Sequence, residues 1–300
     1  MITLLGPTAT GKTTLAAHLA TLLNGEIISA DSRQVYRGMD IGTGKDLADY
    51  TIDSAKIPFH LIDIVDPGYE YNVYEFQKDF LKVYNAIEER GTLPILCGGS
   101  GLYIESVLKG YKLLNVPKNE LLREELELLA DQELHSILEE LKTLHNTTDS
   151  SERERLIRAI EIQKYYNENP EIDTHFPKIE TKIFGIDFDR RVVKMRITER
   201  LEERLNSGMI EEVQGLLTRG LKPEQLSFYG LEYKWVTDYL EGKIAYDEMF
   251  RRLNIAIHQF SKRQMTWFRK MEKQGFEINW IDGNLGLPEK IAFILQKLPK

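Results

Sequence analysis

The sequence predicts an α/β protein, a parallel sheet flanked by helices and interrupted by a helical insertion. Three observations predict it. Short apolar runs alternate with helical periodicity through the first half of the chain. A glycine-rich turn separates the first run from the first helix. A long acidic helical stretch then breaks the alternation before strand character returns near Lys182.

Taken in order, Ile2–Leu5 reads as a strand and Lys12–Leu23 as a helix. Glu26–Ala30 reads as a second strand ending at Asp31, and Phe59–Ile64 as a third. Val73–Arg90 is expected to be helical. Leu93–Cys97 is a fourth apolar run, closed by Gly98-Gly99-Ser100-Gly101. Strands separated by helical crossovers make a parallel sheet with helices on both faces, and such sheets bind ligands at the carboxyl ends of their strands. The pattern changes after Tyr111. Asn119–Leu144 is helical and acidic, with eight Asp/Glu against two Lys/Arg between Glu120 and Lys142. His145–Glu152 is a polar loop, Arg153–Asn167 a further helix and Lys182–Phe188 a strand; from Arg190 onward the chain is mostly helical. The expected organisation is therefore a core of residues 1–114 and 180–300 around an insertion of residues 115–179. There is no repeat or low-complexity segment.

Three hundred residues suffice for one large domain or two modest ones. A hydrophobic share of 42% with 29% charged residues is ordinary for a soluble protein. No run approaches the roughly 20 apolar residues of a membrane span, and no targeting peptide is read at the N-terminus. The single cysteine, Cys97, excludes an internal disulfide and reads as a small buried strand residue. These features lead us to expect a cytoplasmic protein. The net charge of −8 argues against a nucleic-acid partner unless the basic residues are clustered.

Gly6-Pro7-Thr8-Ala9-Thr10-Gly11-Lys12-Thr13 fits G-x-x-x-x-G-K-[ST] in its required strand–helix context. Its glycines let backbone amides and the positive helix N-terminus wrap an anion. Lys12 would neutralise terminal phosphate oxygens and Thr13 would ligate Mg²⁺. The expected architecture is thus P-loop NTPase-like, and the loop read alone suggests ATP or GTP. Asp31 is either a helix N-cap or Mg²⁺-holding carboxylate, or a general base beside the phosphate site. Gly98–Gly101 is either a packing turn or a second ligand-contacting loop. Arg196, Arg200 and Arg204 share one helix face, either paired with Glu199, Glu202 and Glu203 or clamping a diphosphate. Arg251 to Lys270 holds six Lys/Arg, no Asp/Glu and the aromatics Phe260, Trp267 and Phe268. That is the footprint of a surface for backbone phosphates, or an amphipathic helix with a solvated basic face. Arg153, Arg155 and Arg158 form a second basic cluster. The histidines show no metal-ligand spacing, and there is no nucleophilic Ser/His/Asp signature.

Several stretches resemble the tRNA dimethylallyltransferase family: residues 6–13, Ile-Ser-Ala-Asp-Ser-Arg-Gln-Val-Tyr at 28–36 and Gly-Met-Asp-Ile-Gly-Thr-Gly-Lys at 38–45. The same holds for Gly-Gly-Ser-Gly-Leu-Tyr at 98–103, Arg-Leu-Ile-Arg-Ala-Ile-Glu at 155–161 and Lys-Arg-Gln-Met-Thr-Trp at 262–267, collinear from residue 2 to about 282. The resemblance implies transfer of a dimethylallyl group from its diphosphate to N6 of the adenine adjacent to a tRNA anticodon, with Mg²⁺. It implies Asp31 as the base, with Lys12, Thr13 and Arg200 stabilising the leaving diphosphate held by residues 6–13. It also places Asp31, Ser32, Arg33, Gln34, Ser100, Arg123, Glu154, Arg155, Leu156, Ile157 and Arg158 on tRNA. Lys262, Arg263 and Gln264 of the basic helix join them, the insertion gripping the anticodon stem. A monomer is expected. The sequence departs from the family pattern at His145–Asp149, at Gly230–Lys234 and at Ile257-His258, all in the RNA-facing half. Two other readings are a P-loop nucleoside or nucleotide kinase, with Asp63 or Asp66 as a second acid for Mg²⁺, and a prenyltransferase acting on free AMP. A third, an RNA-binding module without catalysis, is disfavoured by the intact Lys12, Thr13, Asp31 and Arg200.

Overall fold

The structure, a computed structural model, describes residues 1–141, 153–172 and 175–298. The expected end of the acidic helix at Leu144, the His145–Glu152 loop and the departure at His145–Asp149 lie outside the described residues. The chain divides into two units, Met1–Gly110 with Lys178–Lys300, and Tyr111–Pro177.

The larger unit opens with β1 (Ile2–Leu5), α1 (Lys12–Leu23) and β2 (Gly25–Ser29). A 3₁₀ turn at Leu47–Tyr50 leads into a small antiparallel ribbon, β3 (Thr51–Ile52) with β4 (Ala55–Lys56). β5 (Phe59–His60), α2 (Val73–Glu89), β6 (Leu93–Gly98) and α3 (Gly101–Leu108) follow. The smaller unit contributes α4 (Glu120–Glu127), α5 (Asp131–Leu141) and α6 (Arg153–Glu168). The chain then re-enters the sheet through β7 (Lys182–Asp187) and continues as α7 (Arg190–Asn206), α8 (Met209–Thr218), α9 (Pro223–Tyr229), α10 (Leu231–Leu240), α11 (Tyr246–Lys273), β8 (Ile278–Asp282) and α12 (Leu287–Lys297).

Six strands form one parallel sheet in the order β5-β2-β6-β1-β7-β8. β1 and β2 are buried along their whole length, so neither shows the polar–apolar alternation of a half-exposed strand, and the one buried charge in β2, Glu26, is held by Arg90 and Thr92. From β1 the chain first builds the sheet toward β5 and later extends it on the other side through β7, so β1 stands at the point where strand order reverses. Ligand crevices open at the carboxyl ends of strands at such points. The main core packs Leu15, Leu19, Ile27, Ile95, Phe184 and Ile281 between sheet and helices.

Two expectations require correction. The strand expected over Phe59–Ile64 ends at His60, because Leu61 (φ 62°) and Asp63 (φ 56°) adopt left-handed backbone. That turn is held from outside: the fully buried Lys45 ammonium donates to Tyr36 O (2.7 Å) and Asp40 Oδ1 (2.6 Å) and pairs with Asp63. The helix expected from Asn119 breaks in two. Arg153 Nη2 donates to the carbonyls of Glu127 (2.8 Å) and Leu129 (2.7 Å), satisfying oxygens that a continuous helix would use internally. After the break, α5 turns Leu134 and Leu138 onto Leu156, Ile157 and Ile160 of α6, the small core of this unit. From Arg190 onward the chain is mostly helical, as expected, and Ile278–Asp282 adds a strand to the sheet beside β7.

Candidate active site

The loop after β1 begins at Gly6 and ends at Gly11, whose φ of 76° only glycine adopts readily before the first turn of α1. Ala9 between them is also left-handed (φ 61°), an uncommon conformation for a residue with a Cβ. Lys12 folds back over the loop, its Nζ donating to Pro7 O (2.6 Å) and lying 3.5 Å from Thr10 Oγ1. Thr10 closes the loop by donating to Pro7 O (2.8 Å). Burial pushes the Lys12 ammonium down to about 8, with Arg200 adding to the fall and Asp31 opposing it. The Thr13 hydroxyl has no protein partner among the described residues. Among the described residues no cluster of three or more His, Cys, Asp or Glu could hold a metal by itself; a single hydroxyl fits Mg²⁺ only in the manner in which that ion is commonly held, by one or two protein oxygens together with substrate phosphates.

Asp31 follows β2, and its Oδ1 accepts the backbone N–H of Arg33 (2.9 Å). No helix starts here, so the helix-cap alternative becomes a turn cap that orients the carboxylate. Ser32 N donates to Ser100 Oγ (3.0 Å), and Ser100 N to Ala30 O (3.1 Å), lacing this turn to the Gly98–Gly101 turn after β6. Gln264 of α11 completes the arrangement. Its Oε1 accepts from Thr8 N (2.9 Å) and its Nε2 donates to Gly99 O (2.9 Å). The glycines matter for close approach: a Cβ on Gly101 would lie 2.5 Å from Trp267. Gly101→Ala is therefore expected to lower stability by about 1–3 kcal/mol in a denaturant titration. An unchanged midpoint would mean the indole shifts freely.

The arginine face of α7 is turned to the loop. Arg196 Nε donates to Ala9 O (2.8 Å) and Arg200 Nη1 to Thr8 Oγ1 (3.3 Å). Arg200 and Arg204 pair with Asp46, not with Glu199, Glu202 or Glu203 as one reading had it. Burial works against charge on Asp46, but the two guanidiniums outweigh it and hold the carboxyl below its usual range. The loop carrying Asp46 is fixed from the other side by Glu212 of α8, whose carboxylate accepts the backbone N–H groups of Asp40 (2.8 Å), Ile41 (2.7 Å) and Gly42 (3.0 Å). Ala9–Thr13, Asp46, Asp49, Arg196, Arg200 and Arg204 line a cleft of about 690 Å³, within the range of small-ligand sites.

A model of the IPP transferase family matches residues 34–271. The chain belongs to that family. It is 58% identical over 298 residues to tRNA dimethylallyltransferase 2 of Bacteroides fragilis, covering 99% of this chain and 97% of the relative. It is 56% identical over 299 residues to tRNA dimethylallyltransferase 1 of Parabacteroides distasonis, with the same coverage of 99% and 97%. Among solved structures, the full-length tRNA isopentenylpyrophosphate transferase of Bacillus halodurans superposes with a TM-score of 0.72 at 34% identity, covering 98% of this chain and 94% of that one.

Within this family member, the structure gathers residues 6–13, Asp31–Gln34, Ser100, Arg200 and Gln264 at the carboxyl edge of one sheet. Several residues expected on tRNA have partners within the chain. Gln264 is buried, its amide joining the two loops. Gln34 is buried as well, accepting from Ser29 Oγ and donating to Gly44 O. In the helical unit Leu156 and Ile157 are core side chains, whereas Glu154 and Arg155 are exposed. Arg123 and Arg158 both grip the buried Glu161, which also accepts Asn119 N (2.6 Å). Burial opposes charge on Glu161, yet these bonds win and lower it to about 2. On α11, Arg251 and Arg252 pair with Glu248, an acid one turn before the basic run, while Lys262 and Arg263 stay exposed. Cys97 is buried on β6, where burial raises its thiol to about 11. Among the described residues, no helix is long and apolar enough to cross a membrane. Lys45, Asp46 and Glu212 were not singled out from the sequence; the Gly38–Lys45 motif was the available signal.

Proposed function

We propose that this chain transfers a dimethylallyl group from dimethylallyl diphosphate to N6 of the adenine adjacent to a tRNA anticodon, releasing diphosphate. The observation that carries this reading is Arg200 reaching across from α7 to Thr8 of the phosphate loop, with Asp31 opening the neighbouring turn. The N6 lone pair attacks C1 of the allyl group, the C1–O bond breaks with its electrons passing to the diphosphate, and the N6 proton passes to the Asp31 carboxylate. The loop amides, Lys12 and Arg200 hold the charge that develops on the leaving oxygen. Mg²⁺, held by Thr13 and the phosphates, would supply further neutralisation when bound.

The relatives named as tRNA dimethylallyltransferases support the acceptor. So do the exposed Lys262 and Arg263 on α11, with Arg263 lying over Phe260 at 5.9 Å and Lys270 over Trp267 at 5.2 Å. The adenine must leave its stack to react. A kinase would need a second acid for its metal, but Asp63 is paired with Lys45 and Asp66 with Arg37. Incubation with labelled dimethylallyl diphosphate and either tRNA or AMP, and separately with labelled ATP and nucleosides, tests the choice. Label should reach tRNA alone. Efficient phosphorylation, or transfer to AMP in preference to tRNA, would replace this reading.

The double change Lys262→Ala with Arg263→Ala is expected to weaken tRNA binding and reduce the slope of log K against log salt by about 1–2. Filter binding between low and moderate salt checks this; an unchanged slope would take this part of α11 off the RNA.

A further inference from the structure

We propose that Asp46 is a positioning residue for the transfer reaction, locking Arg200 and Arg204 as a pair so that Arg200 meets the leaving diphosphate in a fixed orientation. The inference rests on the proposed role of Arg200 at the phosphate loop.

Arg200 and Arg204 lie one turn apart on α7, where like charges repel. Their guanidiniums are nevertheless brought together, and the Arg204 side chain is only 15% exposed. Asp46 makes this possible by accepting from both: from Nη2 of Arg200, and from Nη2 of Arg204 at 3.4 Å to each carboxylate oxygen. A second carboxylate, Glu232, lines a small pocket with Thr8, Arg200 and Arg204. Because Asp46 occupies Nη2 of Arg200, Nη1 is aimed at Thr8 Oγ1. A planar guanidinium tied at two points has little rotational freedom, which is the preorganisation a leaving-group clamp needs.

Among the described residues, the Asp46 carboxylate has no hydrogen-bond partner other than these two arginines. Asp46 opens the 3₁₀ turn at Leu47 but makes no side-chain capping bond, and its own backbone is left-handed (φ 45°). The loop that carries it is anchored independently, by Lys45 at one point and by the Glu212 carboxylate at another.

The test uses the full chain with tRNA and dimethylallyl diphosphate. Two variants remove the charge: Asp46→Asn, nearly isosteric, and Asp46→Gly, which the left-handed backbone favours. Both should lower kcat by about 10- to 100-fold while changing KM for the donor by less than about 3-fold, because the orientation matters most as charge develops. In an Arg200→Ala background the same changes should cost less than about 2-fold, since the residue through which Asp46 acts is gone. Equal losses in both backgrounds would make Asp46 merely structural. Faster turnover together with tighter binding of inorganic diphosphate would make it a competitor for Arg200, also overturning the proposal. If Arg200→Ala alone keeps near-normal activity, the reading of the whole site falls; if Arg200→Ala is slow but both Asp46 variants match the parent, only this inference falls.

Discussion

Asp31→Ala should reduce kcat for prenyl transfer by about 10²- to 10⁴-fold, the range expected when a positioned proton acceptor is removed. Affinity for the donor should change little, because Asp31 makes its described bond to Arg33 N and none to the loop. The exocyclic amine of adenine is a weak nucleophile, and its attack leaves a positively charged nitrogen that must lose a proton. A carboxylate held by an Asx-type bond, with its second oxygen unpartnered among the described residues, is suited to accept it. Single-turnover kinetics with saturating donor separates the chemical step from binding. Near-normal single-turnover rates in the variant would remove Asp31 from the proton transfer.

Lys12→Ala should lower kcat by about 10²- to 10³-fold and also weaken diphosphate binding, since one group serves both the bound and the departing phosphates. Its titration adds a pH signature. In the free protein burial lowers the Lys12 ammonium to about 8, and an adjoining diphosphate must raise it again. Below pH 8 the lysine is already charged and binding takes up no proton there. Above pH 8 it must be reprotonated on binding, so affinity falls as pH rises. The terminal phosphate of the ligand, titrating near about 6, is fully ionised across that window. Binding of an inert thiodiphosphate analogue of the donor, measured from pH 7 to 10, should show this decline in the parent chain. It should be absent in Lys12→Ala. A flat profile in the parent would mean that Lys12 does not approach the phosphates.

The phosphate loop was legible because its chemistry depends on local spacing: glycines, Lys12 and Thr13 lie within eight residues of each other, between a strand and a helix. Asp31 and the Gly98–Gly101 turn were legible by position, since parallel topology sends every strand's carboxyl end to one edge. What stayed hidden was set by distant partners. Nothing near Asp46 indicates that it will meet Arg200 and Arg204, more than 150 residues away. The left-handed turn at Leu61 and Asp63 depends on a buried ammonium at Lys45, and the break after α4 on a guanidinium arriving from α6. Ile278–Asp282 is a strand because β7 offers it an edge. Gln264 sits in a basic, RNA-like stretch, yet its amide is turned inward to Thr8 and Gly99. A helix periodicity reveals which residues share a face; it does not reveal which neighbour that face will meet.

The transfer reaction itself is tested most directly by incubating the chain with dimethylallyl diphosphate, Mg²⁺ and unmodified tRNA, digesting the product and weighing its nucleosides. An adenosine heavier by one C₅H₈ unit, confined to the residue beside the anticodon and formed with one equivalent of diphosphate, is the predicted result. Unmodified adenosine at that residue after prolonged incubation with a tRNA bearing a matching anticodon loop would contradict the account.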